Sequence, residues 1–303
     1  MMEDSKHFDV IIIGGSYAGL SAGMALGRSL RNVLIIDGGK PCNRQTPHSH
    51  NFVTHDGQTP KYIAEAAKDQ VLRYNTVSFL EDVVTSGSKT ENGFIINTQS
   101  GASFAASKLL FATGLSDQMP DIKGFAECWG ISVLHCPYCH GYEVKHESIG
   151  LIVNGDIAFE FTRLISNWTK DLTLFTNGKS TLNSEQTKKI KEHHIEIIET
   201  EIAEIEHKDG YVKNIVFKDG SKQKLTAIFA KIAFKQHSEL PEQLGCEINE
   251  QGFIQVDDLQ RTTIPGIYAA GDNTTMARAV SVAVAAGTKS GSFINKELID
   301  ETF

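Results

Sequence analysis

Residues 10–27 run eighteen positions without a charge, and five of them are glycine. An uncharged stretch of that length is enough for a short membrane span if it stays helical throughout. Gly14, Gly15 and Gly19, with Ser16 and Tyr17 among them, break it instead into strand, tight turn and helix. The pattern predicts a strand at 10–13, a helix at about 18–30 and a second strand at 33–36, which is a βαβ unit. Within it Gly14-Gly15-Ser16-Tyr17-Ala18-Gly19 is a dinucleotide-binding fingerprint, and Asp37 closes the second strand. Gly14 makes the turn out of the strand, Gly19 lets the helix pack closely on the sheet, and the helix amino terminus offers N–H groups to a pyrophosphate. Asp37 is placed to accept hydrogen bonds from an adenosine ribose. Ser16 stands where the usual motif has its middle glycine, and serine is small enough to let a phosphate approach.

The same pattern recurs downstream. A strand is expected at 150–153, an amphipathic helix at 158–168 and another strand at 172–175. Between the two units, 77–80 and 94–98 read as hairpin-like segments and 108–112 as a strand. Further strands are expected at 195–198, 202–206 and 214–218, around Asp209-Gly210 and Asp219-Gly220 turns. The chain then returns to the character of the first unit: Gly266 to Asp272 reads as a buried strand ending in Gly-Asp, followed by an alanine-rich helix at about 278–290. A discontinuous first domain interrupted by the second, with joints near 113–119 and 235–244, accounts for this order. The balance of 29 Lys and Arg against 37 Asp and Glu, with no long basic tract, argues against a nucleic-acid partner. Hydrophobic residues at 41% argue against disorder. The opening Met1-Met2-Glu3-Asp4 lacks the charged and apolar regions of a secretory signal, so a cytoplasmic location without membrane association is expected.

The cysteines, Cys42, Cys128, Cys136, Cys139 and Cys246, are odd in number and do not form a disulfide scaffold. Two of them sit in His135-Cys136-Pro137-Tyr138-Cys139-His140-Gly141-Tyr142-Glu143. A CxxC pair is half a zinc site, and a second pair at metal spacing is needed to close the tetrahedron. None exists here, so no metal is expected and the pair reads as a redox dithiol. Pro137 stiffens the loop. His140 follows the second cysteine directly, and an imidazole can hold the proton that a dithiol loses and a leaving thiolate regains.

Taken together, the GGSYAG start, Ala112-Thr113-Gly114 at a strand end, CPYCHGYE immediately before a second nucleotide-type unit and the late Ala270-Gly271-Asp272 resemble the low-molecular-weight thioredoxin reductase family over nearly the whole chain. The resemblance implies an α/β fold of two Rossmann-like three-layer domains, the second inserted in the first. The FAD domain would comprise 1–115 and 245–303, and an NAD(P)-binding-like domain 116–244 would carry the CxxC. It implies a homodimer. It also implies FAD at Gly14, Ser16, Ala18, Gly19, Asp37, Ala112, Thr113 and Gly114, with Gly271 and Asp272 at the ribityl and phosphate region. The cysteine pair would lie over the flavin in one orientation of the second domain. Cys139 would exchange electrons with the flavin, and Cys136 would attack an external disulfide. His140 takes the place of an acidic residue that serves as general acid in NADPH-dependent members. Arg278 opens the last helix where the family has an arginine near the flavin, but the glutamine that follows it there is Ala279 here. His48 and His50 lie in the region that wraps the flavin edge in the family, and a solvated loop accounts for them equally. The CPYCHGYE form is closer to a side branch that includes fungal dithiol oxidases.

The second fingerprint departs most from the family. Where NADPH-using members show GxGxxA, this chain has Val153-Asn154-Gly155-Asp156-Ile157-Ala158. A β-branched residue resists the left-handed turn of a phosphate-cradling loop. Phe175-Thr176-Asn177-Gly178 presents neither arginines for a 2'-phosphate nor an acid for a ribose. Lys179 is a point charge without the planar fork of arginine. These residues predict weak or lost NADPH binding, although Gly155 leaves backbone amides that a dinucleotide could use. The expected activity is therefore FAD-dependent thiol–disulfide exchange with a thioredoxin-like protein or a small-molecule dithiol, fed by a reshaped NADPH site or by a donor such as ferredoxin. A dithiol oxidase using oxygen and a redox sensor without turnover are the alternatives.

Overall fold

The computed structural model describes residues 7–303, and the reading of Met1 to Asp4 lies outside them. The chain divides into two compact units, one of residues 7–44, Asn51–Ser116 and Phe234–Phe303, the other of Gln45–His50 and Asp117–Ala233.

The chain enters through β1 (His7–Ile13), α1 (Tyr17–Arg28) and β2 (Val33–Asp37). β1 and β2 are parallel, with Val10 opposite Val33 and Ile13 opposite Ile36. Val10, Ile11 and Ile12 are fully buried, which is why this strand reads as a continuous apolar run rather than an alternation. Helix α2 (Pro60–Val71) starts where the Thr59 side chain accepts from the Tyr62 amide. It crosses to β3 (Val77–Glu81), which is parallel to β2. The hairpin expected at 77–80 is thus a parallel edge strand, because α2 supplies a crossover and period-two alternation looks the same in either pairing. The hairpin joins β4 (Val84–Thr90) to β5 (Gly93–Thr98) instead. β5 is antiparallel to β6 (Ser103–Phe111), which returns beside β1 and gives the order β3-β2-β1-β6-β5-β4. A short β7 (Leu115–Asp117) follows.

The second unit holds α3 (Phe125–Cys128), β8 (Val133–Leu134), α4 (Pro137–His140), β9 (Ile149–Ile152) and α5 (Asp156–Ile165). After these come β10 (Leu172–Phe175), α6 (Ser184–Glu192) and β11 (Glu196–Ile198). An antiparallel sheet of β12 (Ile202–Lys208), β13 (Tyr211–Phe217) and β14 (Lys222–Lys224) turns at Asp209-Gly210, both residues having positive φ. β15 (Ala227–Ala230) then completes a parallel sheet in the order β11-β10-β9-β15-β8.

β16 (Phe234–Gln236) and α7 (Leu240–Gln243) belong to the first unit. The chain re-enters that unit at Phe234 rather than at 245, because Leu240 is buried with Ile96 and Cys246 in its core. β17 (Ile267–Ala269) lies parallel to the carboxyl half of β6. The final helix α8 (Val280–Asp300) starts two residues later than expected and runs ten residues further than 290. Its apolar face continues through the buried Ile294 and Leu298, so Arg278 precedes the helix and Ala279 is its N-cap. Among the described residues no helix is long and apolar enough to cross a membrane.

Candidate active site

In the first unit the carboxyl ends of β1, β2, β6 and β17 reach one edge of the sheet, the place where α/β folds hold ligands. Gly14 leaves β1 with φ +109, and a Cβ there would overlap the Ala112 carbonyl oxygen. A Cβ at Gly19 would overlap the Gly14 carbonyl oxygen, so only glycine lets α1 start this close to the strand. Ser16 is the N-cap of α1, yet its side chain caps no amide. Ala18 is buried, and a Cβ at Gly271 would stand 3.1 Å from its methyl. Asp37 Oδ1 accepts from the Gly15 amide at 2.8 Å and its Oδ2 accepts from the Gly39 amide at 3.1 Å. The acid at the end of β2 is therefore locked over the glycine turn.

Ala112, Thr113 and Gly114 follow β6, with Gly114 at φ +65. Gly271 leaves β17 at φ +96, and Asp272 holds the Arg278 guanidinium at 3.4 Å. Two buried polar atoms on this edge have no hydrogen-bond partner in the protein: Thr113 Oγ1 and Asn273 Oδ1. Buried oxygens of this kind are normally satisfied, so they point to a polar ligand. Open glycine turn, uncapped helix, ordered acid and orphaned oxygens together fit a dinucleotide. Asn273, wholly buried and donating to the Phe111 carbonyl at 2.9 Å, is a site residue the sequence reading did not name. Its position directly after Gly271-Asp272 was the available signal.

In the second unit, Cys136 follows the edge strand β8 and caps α4, with Pro137 at the first helical position. Cys136 and Cys139 form a disulfide with Cα atoms 5.3 Å apart, and the Cys139 amide points at Cys136 Sγ from 3.2 Å. His140 is half-buried. Burial, and then the neighbouring His50, hold its imidazole down at about 4. His50 lies in Gln45–His50, the stretch that packs with this unit, beside His140 and with Nδ1 3.5 Å from Glu143 Oε1. No cluster suited to a metal ion occurs among the described residues.

The β9–α5 turn of the same unit is built differently from the β1–α1 turn. Val153 stands three residues before the first residue of its helix, as Gly14 does, but it is buried and has no left-handed φ. The left-handed residue is Gly155, at φ +78. Asn154 fills the loop: its Oδ1 accepts from the Gly155 amide at 2.8 Å and the Thr181 amide at 3.1 Å, and its Nδ2 donates to the Lys179 carbonyl at 3.0 Å. Asp156 puts a carboxylate in the first turn of α5, where it already complements the positive end of the helix. Glu199 accepts from the Ser180 amide beyond β10 at 2.9 Å. A side-chain oxygen thus sits where the loop would offer N–H groups, two acids stand where phosphates would approach, and the residues do not fit NADPH.

The pyridine nucleotide-disulphide oxidoreductase family model matches residues 8–287. The chain belongs to this family. Thioredoxin reductase tcpT of Claviceps purpurea is 30% identical over 98% of this chain and 96% of its own length. Thioredoxin reductase sirT of Leptosphaeria maculans is 30% identical over 95% and 93%. Among solved structures, an oxidoreductase from Agrobacterium tumefaciens is 35% identical with a TM-score of 0.91 over 97% of this chain and 99% of that one. HlmI is 28% identical with a TM-score of 0.92 over 98% and 94%. This family member is accordingly a thioredoxin-reductase-like oxidoreductase with two Rossmann-like domains.

Proposed function

We propose that the protein is an FAD-dependent thiol–disulfide oxidoreductase, in which the Cys136–Cys139 pair exchanges electrons with bound flavin on one side and with an external thiol or disulfide on the other. The observation that carries this reading is the bonded cysteine pair at the start of α4 with a neutral imidazole directly after it. Thioredoxin reductases are FAD flavoproteins, and bound FAD supplies a two-electron store. Gly14, Ser16, Ala18 and Gly19 would admit its pyrophosphate, and Asp37 would orient its ribose. Ala112, Thr113, Gly114, Gly271 and Asp272 would line the rest, with Arg278 and Ala279 adjoining. Cys136 meets the external sulfur, Cys139 is its flavin-side partner, and His140 holds and returns the proton as a thiolate forms and is quenched. The partner is a thioredoxin-like protein or a small dithiol.

The Asn154-filled loop favours a second, narrower reading: a dithiol oxidase. There, a substrate dithiol and oxygen yield a substrate disulfide and hydrogen peroxide, two electrons and two protons passing through the cysteine pair. With dithiothreitol as sole reductant in air, steady peroxide formation is expected. Cys136→Ser and Cys139→Ser should each lower it by about 10³-fold or more while keeping the flavin absorbance. Undiminished turnover in both variants would contradict the assignment of the pair. Absence of peroxide, with thioredoxin reduction driven by NADPH, would sink the oxidase reading.

A further inference from the structure

Beside the redox pair stand a second histidine and a carboxylate to which nothing above gives a role. The His50 ring lies 6.3 Å from the His140 ring, edge-on at 88°, and its Nδ1 is 3.5 Å from Glu143 Oε1. His48 is the next titratable ring, 6.4 Å from His50. The remaining titratable neighbours of His140 along the chain are the cysteine pair and the solvent-exposed Tyr138 and Tyr142. Partial burial and then the neighbouring His50 ring disfavour a proton on His140. The Glu143 carboxylate faces His50, and a carboxylate favours the charged form of a ring beside it, whereas among the described residues none is in ion-pair reach of the half-buried His140.

We propose that His50 and Glu143 are a positioning pair for the exchange, storing on His50 the proton that His140 delivers to Cys139 Sγ. This rests on the reading of Cys136–Cys139 as the redox pair. A substrate thiol gives its proton to the histidine pair and its sulfur attacks Cys136 Sγ. A substrate–Cys136 bond forms, the Cys136–Cys139 bond breaks, and the electron pair leaves on Cys139. The new anion beside His140 reverses the preference set by Glu143, and the proton moves through His140 to Cys139. The second substrate thiol then attacks the substrate sulfur of the mixed disulfide. That closes the substrate disulfide and frees Cys136, which takes the second proton. Two electrons and two protons pass from substrate to cysteine pair, and no further reactant is needed.

The test follows reduction of the Cys136–Cys139 disulfide by dithiothreitol, with acid quench, alkylation and mass measurement, so it does not depend on flavin turnover. It runs from about pH 5.5, below the ordinary histidine range, to about pH 9.5, above the ordinary thiol value. His50→Gln is expected to slow exchange about tenfold near neutrality, with the deficit closing above about pH 9, where the attacking thiol is already ionised. Glu143→Gln, on an exposed side chain, should show a deficit of about threefold with the same trend. A deficit that is constant across pH marks packing damage and overturns the proposal, as does wild-type exchange at every pH in either variant. Normal exchange without any flavin bleaching by dithiol would defeat the functional reading instead, and the pH comparison would still decide the relay.

Discussion

His140 spends folding energy on remaining neutral. Its imidazole titrates at about 4 rather than 6.5, first because it is half-buried and second because His50 stands beside it. Between those two values the unfolded chain binds a proton that the folded one refuses, so stability falls as pH drops from about 6.5 to about 4 and is flat below. At about 1.4 kcal/mol per tenfold in proton affinity, the span amounts to an upper bound of roughly 3 kcal/mol. Chemical denaturation of wild type and His140→Asn from about pH 7 to about pH 4 checks this. The wild type should lose stability over that window and the variant should lose less, whereas parallel curves would place the acid sensitivity elsewhere. Cys136, Cys139, His140 and Asp37 were legible in the sequence because each belongs to a local motif whose spacing is itself the chemistry. His50 was not. It reaches His140 from ninety positions away, and no periodicity links a loop histidine to a remote helix. Asn154 drew no notice beside the missing glycine at Val153, because the bonds that give it a role run to the separate loop at Lys179 and Thr181.

At the level of elements, the first unit depends on how closely α8 approaches α1. A Cβ on Gly287 would overlap the Ala18 carbonyl oxygen, and one on Gly291 would lie 2.7 Å from the Ala22 carbonyl oxygen. Both atoms are helix backbone and cannot move aside as a flexible side chain would. Gly287→Ala should therefore destabilise the protein by about 1–3 kcal/mol and weaken flavin retention, since Ala18 underlies the glycine turn. Thermal melting with measurement of flavin per chain checks this, and an unchanged melting temperature would show that the helices separate easily. The sequence located α1, β9, β10 and β12 to within a few residues, because their apolar periodicity is uninterrupted. It stopped α8 short, since the alanine-rich stretch ends near Ser290 while the buried Ile294 and Leu298 lie beyond it. It also mistook β3 for a hairpin strand, because pairing direction is fixed by the crossover and not by the strand's own residues.

Across the whole molecule, two copies of one βαβ design have opposite fates. The β1–α1 turn keeps glycine at its left-handed position and leaves Ser16 uncapping. The β9–α5 turn has replaced that glycine with Val153, filled the loop with Asn154 and set Asp156 on the helix terminus. Duplication was legible as a repeated strand–turn–helix–strand pattern, and so was the missing glycine. The closure of the loop by its own side chains became visible only when distant segments were brought together. Electrons are therefore expected to enter through the cysteine pair and not through a nicotinamide. The most direct measurement is the flavin absorbance of the purified protein under anaerobic conditions, with NADPH, NADH and dithiothreitol added separately. Bleaching by the dithiol, with neither nicotinamide acting on the same timescale, is the predicted result. Rapid bleaching by NADPH would contradict it and show that Val153 and Asn154 leave a working nucleotide site.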